Sequence, residues 1–249
     1  MANGKKGTAL IIGAGSDMAV ALAREYAGQG YDLILAARDT GALSPMASDL
    51  AIRHPEADIS TASIDVLGMD THREFYEGLV KKPDVAICVV GYLGDQELAE
   101  KDINEVRKIT DTNYTGCASI LNVIATDFEK RGSGTIIGIS SVAGDRGRKS
   151  NYFYGSAKAA FTSYLSGLRH RMAGKGVKVI TVKPGFVNTR MTEGMDLPPS
   201  LTASPEEVAL DIYRAHRRGC DVIYTKWFWR YIMLIIRHLP ERIFKRTDL

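Results

Sequence analysis

The chain opens with a short apolar run, residues 8–12, that leads directly into a glycine-containing turn and then into a helical pattern. The turn, residues 13–19, reads GAGSDMA. A strand that enters a helix through such a turn brings backbone N–H groups and a helix N-terminus close to an anion, as a dinucleotide pyrophosphate requires. Because Asp17 and Ala19 stand where two further glycines are expected, a plain strand-to-helix turn is the alternative. The predicted pyrophosphate contacts are Gly13, Gly15, Ser16, Asp17 and Met18.

Apolar runs and helical patterns keep alternating after this first unit. Strand-like runs cover residues 31–37, 59–66, 85–90, 135–139, 177–182 and 221–225, and helical patterns cover 71–81, 103–129 and 152–173. The 85–90 run is apolar throughout, which is typical of a strand in the middle of a parallel sheet covered by helices on both sides. The pattern predicts an α/β fold with a mostly parallel seven-stranded sheet. Residues 186–204, which contain prolines, glycines and threonines, are predicted to form a lid, and a capped helix is predicted to start after Ser204.

Composition and charge exclude several classes of protein. A chain of 249 residues with 45% hydrophobic and 24% charged residues has the makeup of an ordinary globular protein. Its net charge of +3 lacks the basic footprint of a general nucleic-acid binder. Three separated cysteines, Cys88, Cys117 and Cys220, fit neither a disulfide framework nor a metal site, so we predict core cysteines in a reducing, cytoplasmic compartment. No linker or repeat is visible, which predicts one domain over residues 1–225, extended at its C-terminus by residues 226–249.

Tyr154 and Lys158 are the first candidates for catalysis. They lie four residues apart, so a helix presents both side chains on one face. A positive charge held beside a phenol favours its deprotonated form, which makes Tyr154 a candidate to donate or accept a proton near neutral pH. Ser141, thirteen residues upstream, is the candidate hydrogen-bond donor to the oxygen of a carbonyl undergoing reduction. The alternative is a helix face with an aromatic ring and a surface lysine, because this spacing alone is a weak signal.

The end of the second strand-like run carries information on the cofactor. Proteins that bind NAD usually place an acid there to hold the ribose hydroxyls, whereas an arginine accommodates the 2′-phosphate of NADP. Ala37 occupies the acid position and Arg38 follows it, so NADP is predicted over NAD. A solvated surface arginine is the alternative, with Asp39 one residue further along.

Taken together, these landmarks resemble the short-chain dehydrogenase/reductase family over essentially the whole chain. The resemblance rests on the glycine turn, Asp65-Val66, Asn113, Ser141, Tyr154, Lys158 and the stretch PGFVNT at residues 184–189. It implies a single doubly wound Rossmann domain and a homodimer or homotetramer that packs through the helices at 103–129 and 152–173. The cofactor contacts that it implies beyond the glycine turn and Arg38 are Asp65, Val66, Gly91, Tyr154, Lys158, Pro184, Gly185, Val187 and Thr189.

The same resemblance implies a role for each catalytic residue. Tyr154 exchanges a proton with the substrate oxygen, and Ser141 binds that oxygen. Lys158 holds the nicotinamide ribose and tunes Tyr154, while Asn113 supports a water relay. We therefore expect an NAD(P)-dependent oxidoreductase that interconverts a ketone and a secondary alcohol, with a non-catalytic NADP-binding sensor or scaffold as the alternative. Two positions depart from the family pattern: Ile12 replaces a threonine, and residues 88–91, CVVG, replace the usual Asn-Asn-Ala-Gly.

Several stretches are also similar to the decaprenylphosphoryl-2-keto-β-D-erythro-pentose reductases. They are residues 85–87, 91–95, 113–115 and 151–156, together with much of the ending from 230 to 244. This resemblance implies a keto-sugar substrate attached to a polyprenyl phosphate. The basic stretch at residues 146–149, RGRK, is then a candidate contact for the phosphate, with solvated surface charge as the alternative.

The C-terminal segment, residues 226–249, has a net charge of +4 and an aromatic, apolar run at 227–236 that only Arg230 interrupts. The run is about half the ~20 residues needed to cross a bilayer, so it does not predict a transmembrane helix. Its aromatic start and cationic flank are features of segments that lie at the membrane interface, which predicts peripheral contact with anionic lipid. Packing against the body of the protein, or over the substrate pocket, is an equal alternative.

Overall fold

The computed structural model of the protein describes residues 6–247 and centres on a seven-stranded parallel sheet. In chain order the strands are β1 Thr8–Ile12, β2 Asp32–Ala37, β3 Ile59–Ser63, β4 Val85–Cys88, β5 Gly134–Ile139, β6 Val177–Pro184, β7 Phe186–Val187, β8 Thr202–Ala203 and β9 Val222–Thr225. The large sheet has the order β3-β2-β1-β4-β5-β6-β9, and β7 pairs with β8 separately. The order reverses between β1 and β4, which is where open α/β sheets leave a crevice for ligands.

Helices cover both faces of this sheet. They are α1 Asp17–Gly28, α2 Ser44–Arg53, α3 His72–Glu77, α4 Gln96–Ala99, α5 Ile103–Thr110, α6 Gly116–Arg131, α7 Tyr152–Met172, α8 Pro205–Arg218, α9 Trp229–His238 and α10 Glu241–Phe244. Alternate strand residues serve the two faces: Ile11 packs in the core beneath α1, α2 and α8, whereas Leu10 and Ile12 pack beneath α6 and α7. The predicted doubly wound α/β fold is therefore confirmed.

The central position predicted for the 85–90 run is also observed, because β4 lies between β1 and β5 with all four residues buried. The third strand is shorter than predicted and ends at Ser63 instead of Val66. The chain turns there because the Asp65 carboxylate accepts a hydrogen bond from the Leu67 N–H at 3.0 Å, and the Asp65 carbonyl accepts one from the Gly68 N–H at 3.0 Å. This turn places Asp65 at the edge where the strands end.

The predicted helical region 103–129 is divided by a π-helical turn at Asp111–Thr115 between α5 and α6. Such turns often occur at functional sites. Immediately after it, Gly116 lets α6 approach the backbone closely, because a Cβ atom there would lie 2.3 Å from the Val66 carbonyl oxygen. The π turn carries Asn113, which is fully buried.

The C-terminal helix α9 packs on the body of the protein through one face. Trp229, Met233 and Ile236 are buried in a cluster with Val142, and they contact Phe186 and Leu201 of the predicted lid. The Trp229 Nε1 group donates to the Leu201 carbonyl at 3.1 Å. Within residues 6–247, no helix combines the length and apolar character that crossing a bilayer requires.

Candidate active site

A cavity of about 480 Å³ lies at the carboxyl edge of the sheet, across the point where the strand order reverses. It is lined by residues that follow β1, β2, β3, β4 and β5, by one face of α7 and by the start of the predicted lid. Twelve residues predicted from the sequence line it: Gly13, Gly15, Ser16, Asp17, Met18, Arg38, Asp65, Val66, Gly91, Tyr154, Lys158 and Thr189. Five strand ends and a helix N-terminus thus converge on one concave surface.

The glycine turn between β1 and α1 forms one end of the cavity. Gly13 has a φ of +88°, and a Cβ atom there would lie 3.1 Å from the Val90 nitrogen, so both its conformation and its packing require glycine. A Cβ atom on Gly15 would meet nothing within 4 Å, which leaves the backbone of the turn open to the cavity. Ser16 caps α1 by accepting from the Ala19 N–H at 3.2 Å. The open backbone and the N-terminus of α1 fit an anionic diphosphate.

Arg38 lies at the end of β2 on the cavity wall, with its side chain exposed. Its guanidinium group forms no hydrogen bond or ion pair with another residue of the described range 6–247. Asp39 is engaged elsewhere, because its Oδ1 atom accepts from the Ala42 N–H at 3.1 Å and so stabilises the start of the following turn. The free cation therefore faces the cavity and the nearby acid does not line it.

Lys158 is the most deeply buried charged group of the cavity, at 2% exposure. Its ammonium donates to the Ile139 carbonyl at 3.1 Å and to the Val90 carbonyl at 3.3 Å. Both acceptors belong to the chain at the ends of neighbouring strands, β5 and β4, and neither carries a charge. No carboxylate within residues 6–247 forms an ion pair with Lys158. The site therefore retains a positive charge where the strands end.

Tyr154 lies one helical turn before Lys158 on α7, with the Lys158 Nζ atom 5.8 Å from the centre of its ring. The ring is half-buried and packs on the cluster formed by Ala99, Ile109 and Ala157. Within the described part of the chain, its hydroxyl group has no hydrogen-bond partner. The phenol is thus held by packing while its oxygen is left available at the cavity.

Ser141 is the second residue after β5 and lies in the loop that leads to α7. Its Oγ atom accepts from the Ala143 N–H at 3.1 Å. A hydroxyl that accepts in this way keeps its own proton for donation to a second group. Ser141 is half-buried and lies beside the cavity lining, where its neighbour Ser140 stands.

The loop between β5 and α7 is fixed by a buried ion pair. Asp145 accepts from the Lys183 ammonium at 2.5 Å and from the Tyr224 hydroxyl at 2.8 Å, and its side chain is only 3% exposed. Burial, together with the hydrogen bond to Asp145, raises the pKa of Tyr224, so the phenol stays a donor. Lys183 and Tyr224 lie near the ends of β6 and β9, so the loop is tied to the same sheet edge as the cavity.

The basic stretch at 146–149 does not act as one patch. The Arg146 guanidinium donates to the carbonyls of Ile236 and Leu239 at 2.6 Å each, which satisfies the C-terminal end of α9. Arg148 points toward Met233, and its Nε atom is buried without an acceptor in residues 6–247. Burial lowers the pKa of Arg148 from its ordinary value. Arg148 therefore retains a buried donor that is unused within residues 6–247.

Comparison with known proteins identifies the family. The family model for short chain dehydrogenases matches residues 7–198. An uncharacterized oxidoreductase of Mycobacterium tuberculosis is 35% identical over 240 residues, which cover 95% of this chain and 95% of that protein. An uncharacterized oxidoreductase of Streptomyces coelicolor is 31% identical over 248 residues, with 98% of this chain and 97% of that protein covered. The chain belongs to the short-chain dehydrogenase/reductase family.

Membership in the short-chain dehydrogenase/reductase family makes the protein an enzyme, an oxidoreductase, and does not favour the non-catalytic alternative. A short-chain dehydrogenase from Sphingobium yanoikuyae, solved in complex with NADPH, has the same fold with a TM-score of 0.80 at 19% identity. The match covers 94% of this chain and 96% of that one. Neither curated relative's name states a substrate, so the comparisons leave the keto-sugar resemblance without support.

Other residues predicted from the short-chain dehydrogenase/reductase resemblance lie behind the cavity wall. Pro184, Gly185 and Val187 are not part of the lining. The Asn113 side chain accepts from the Tyr92 N–H at 3.1 Å and donates to the carbonyls of Tyr92 and Ile109 at 2.6 and 2.8 Å. Its amide group therefore shapes the turn after Gly91.

Several residues that line the cavity were not predicted from the sequence: Tyr92, Lys108, Thr112, Ser140, Arg190 and Met191. Thr112 was detectable, because it directly precedes Asn113 on the same turn. Lys108 and Tyr92 contact each other, with Nζ 4.2 Å from the ring centre, but their spacing in the sequence carries no motif. Arg190 follows Thr189 in the lid, and only the folded structure reveals what it contacts.

Gly144 offers a test of how the loop between β5 and α7 is positioned. A Cβ atom at Gly144 would lie 2.7 Å from the Ala159 nitrogen and 2.8 Å from the Lys158 carbonyl carbon, both backbone atoms of α7. We expect Gly144→Ala to lower the free energy of unfolding by about 1–3 kcal/mol, because the loop carrying Ser141 must move away from α7. Urea denaturation measures the change.

Gly147, in the same loop, provides the matched control. A Cβ atom there would meet nothing within 4 Å, so Gly147→Ala should leave stability unchanged or raise it by about 0.5 kcal/mol. Equal effects of the two substitutions would contradict the close approach of the loop to α7.

Proposed function

We propose that the protein is an NADP-dependent carbonyl reductase that interconverts a ketone and a secondary alcohol. The observation that carries the proposal is the available Tyr154 hydroxyl at a cavity that also holds the buried Lys158 ammonium. The arrangement offers a proton donor and a positive charge within one helical turn. Asn113, Ser141, Tyr154 and Lys158 form the proposed catalytic set.

Each residue has a role that its contacts support. A bound nicotinamide would supply hydride chemistry to the substrate's carbonyl carbon. The Ser141 hydroxyl, free to donate, holds the carbonyl oxygen, and the Tyr154 hydroxyl gives its proton to that oxygen as the alcohol forms. Lys158 stabilises the phenolate that Tyr154 leaves behind, because its ammonium lies 5.8 Å from the centre of the ring and forms no ion pair with a carboxylate of residues 6–247. Asn113 fixes the turn after Gly91 and supports the relay through which Tyr154 regains a proton.

Replacement of Tyr154 by Phe tests this proposal directly. We expect the variant to fold and to bind NADPH but to lose turnover by at least ~100-fold, because phenylalanine has no proton to transfer. Consumption of NADPH in a screen of ketones, including keto-sugars and their lipid-phosphate conjugates, measures the loss.

Tyr152→Phe is the control on the same helix, since the exposed Tyr152 hydroxyl donates to Glu100 at 3.1 Å, outside the cavity lining. Turnover by Tyr154→Phe at the wild-type rate would refute the assignment of the proton donor.

The preference for NADP over NAD rests on the end of β2. Arg38 has an unused guanidinium on the cavity wall, and Asp39 is engaged with the Ala42 N–H. A 2′-phosphate would accept charge-assisted hydrogen bonds from Arg38, whereas the position at the end of β2 that usually holds an acid for the ribose hydroxyls is Ala37. The NADPH bound to the Sphingobium yanoikuyae protein of the same fold is consistent with this preference.

Substitution of Arg38 by Ala should weaken NADPH binding roughly 10- to 100-fold and leave NADH binding nearly unchanged, because only NADPH loses hydrogen bonds to a charged group. Fluorescence titration with both nucleotides gives the ratio of affinities. The control is Arg53→Ala on α2, which removes an exposed arginine paired with Asp49 at 2.7 Å. An unchanged ratio in Arg38→Ala would exclude Arg38 as the phosphate contact.

A substrate carried on a lipid phosphate, reached at a membrane surface, is the finer proposal. Trp229, Met233 and Ile236 pack inward on one face of α9. The opposite face of α9, together with Trp227 just before the helix, exposes an apolar stripe to solvent. The stripe consists of Trp227, Tyr231, Leu234 and Ile235, each more than half exposed. Arg230 and Arg237 lie exposed beside it, as a segment at an anionic headgroup layer requires.

The two alternatives for the C-terminal segment are thus compatible, because opposite faces of one helix serve packing and exposure. Arg148 lies near Met233 on the buried face of α9, and its unused Nε donor supports a phosphate contact there. We propose a cytoplasmic protein that contacts the membrane peripherally and reduces a keto-sugar on a polyprenyl phosphate.

Anionic liposomes test the membrane contact. The double variant Leu234→Ser, Ile235→Ser keeps the buried anchors Trp229 and Met233, so the helix should remain folded while its exposed stripe becomes polar. We expect the wild-type protein to co-sediment at low salt, less so at high salt, and the variant to sediment at least about fivefold less.

The control for this experiment is Ile52→Ser, because Ile52 is 80% exposed on α2, far along the chain from α9. If the wild-type protein stays in the supernatant at low salt, the membrane contact is refuted, and α9 serves only to pack on the body of the protein.

The assembly and the domain boundary belong to the same proposal. We propose a homodimer or homotetramer, with Ile103 on α5 and Tyr152 on α7 exposed on the helices implied by the family resemblance. We also propose that residues 1–225 and the extension 226–249 form one domain, since α9 shares a core with Val142.

A further inference from the structure

The predicted lid is tied to the glycine turn by a single arginine. The Arg190 Nε group donates to Asp17 Oδ1 at 2.9 Å, and its backbone N–H donates to Asp17 Oδ2 at 2.7 Å. Its Nη2 group donates to the Gly15 carbonyl at 2.6 Å. These three bonds join segments 173 residues apart in the sequence, and all three residues line the cavity.

The position of Asp17 gives these bonds an electrostatic consequence. Asp17 is the first residue of α1, and it stands where the dinucleotide signature has a glycine. A carboxylate is stabilised by the N-terminus of a helix, but here it would repel a diphosphate bound to the same turn. Arg190 engages both carboxylate oxygens and so neutralises that repulsion.

The segment that carries Arg190 is also held by hydrogen bonds of its own. Thr189 and Thr192 cap each other around the short turn Arg190–Thr192, and the Thr192 hydroxyl also donates to the Val187 carbonyl at 2.7 Å. Between them Met191 reaches over Gly91, where a Cβ atom would lie 3.4 Å from the Met191 Cε atom. Residues 189–191 therefore span the cavity from the glycine turn to the side where Lys158 lies.

We propose that the Asp17–Arg190 pair is a latch that holds residues 189–191 closed over a bound nicotinamide dinucleotide and slows its release. The inference rests on the proposed function, because it takes the cavity as the cofactor site. Arg190 and Asp17 are positioning residues in this scheme: Arg190 acts through Asp17 and Gly15, and the pair determines how long the ligand is retained.

A direct contact between Arg190 and the diphosphate is the competing role, and the two roles predict opposite effects at Asp17. If Arg190 served the diphosphate directly, Asp17→Asn would remove a competing and repulsive charge and would tighten binding. If the pair is a latch, Asp17→Asn breaks it and accelerates release.

Dissociation of NADPH, followed by stopped-flow fluorescence after displacement with excess NADP⁺, distinguishes these roles without turnover. For the latch we expect Asp17→Asn to raise the dissociation rate constant about tenfold. Arg190→Ala should raise it at least as much, because it also leaves the Asp17 carboxylate unneutralised beside the diphosphate, and the double variant should raise it no further than Arg190→Ala, because both changes break one interaction. Asp49→Asn is the matched control: the Arg53–Asp49 pair has a 2.7 Å contact and side-chain exposures of 65% and 39%, against 70% and 31% for Arg190 and Asp17.

A second measurement uses the nucleotide-free protein. Since the Arg190 N–H donates to Asp17, hydrogen exchange of the segment 187–192 should be about tenfold faster in Asp17→Asn than in wild type, and unchanged in Asp49→Asn. Slower NADPH release in Asp17→Asn, additive effects in the double variant, or unaltered exchange would each overturn the latch. Failure of wild-type protein to bind any nicotinamide nucleotide would overturn the proposed function and the latch together, whereas binding with unaltered release overturns the latch alone.

Discussion

The buried ammonium of Lys158 is the interaction on which the rest of the site depends. A charge removed from water costs several kcal/mol unless other groups solvate it, and here two uncharged carbonyls do so, those of Val90 and Ile139. These carbonyls lie at the ends of β4 and β5, which pair in register from Val85 opposite Thr135. The charge is therefore solvated only when the sheet is correctly assembled. The fold and the site share this requirement, which explains why α7 is bound so closely to the end of β5.

Two further ties keep that helix in place. The buried Ser140 hydroxyl donates to the Lys158 carbonyl at 2.9 Å, so the strand end fixes the backbone of the residue whose side chain it also solvates. The loop between them is fixed by the Asp145–Lys183 ion pair, whose two side chains are nearly inaccessible to solvent. A buried pair of this kind contributes little net stability, since the loss of hydration offsets the attraction. We infer that its role is to give the loop carrying Ser141 one position relative to Tyr154.

Much of the fold was predictable because its signals are local. The apolar run at 85–90 had to be a central strand, and the capped start of α8, where Ser204 accepts from the Glu207 N–H at 3.1 Å, was visible in four residues. The spacing of Tyr154 and Lys158 likewise placed both on one face of α7. The turn at Asp65 that ends β3 early was missed, since it depends on the Asp65 side chain accepting from the N–H of Leu67, two residues further along the chain.

The contacts that could not be predicted from the sequence join residues that lie far apart along the chain. Arg190 meets Asp17 across 173 residues, and Arg146 meets Leu239 across 93. Neither arginine belongs to a motif, and a charged residue in a loop is usually solvated, so no pattern distinguishes them from surface residues. The basic stretch at 146–149 shows the difficulty, because one of its arginines caps α9 while another lies buried beside Met233.

Helix α9 connects the predicted lid with the loop between β5 and α7. Trp229 packs so closely on Gly185 that a Cβ atom there would lie 1.9 Å from its Nε1 atom, and the same indole donates to Leu201 at the far end of the predicted lid. At its other end α9 is capped by Arg146, from the loop that carries Ser141. The predicted lid and the loop carrying Ser141 are therefore both attached to α9, which also presents the exposed stripe around Tyr231. Any partner that binds this stripe acts on a helix in direct contact with both segments, so the geometry links the outer surface to the lid and to the loop that carries Ser141.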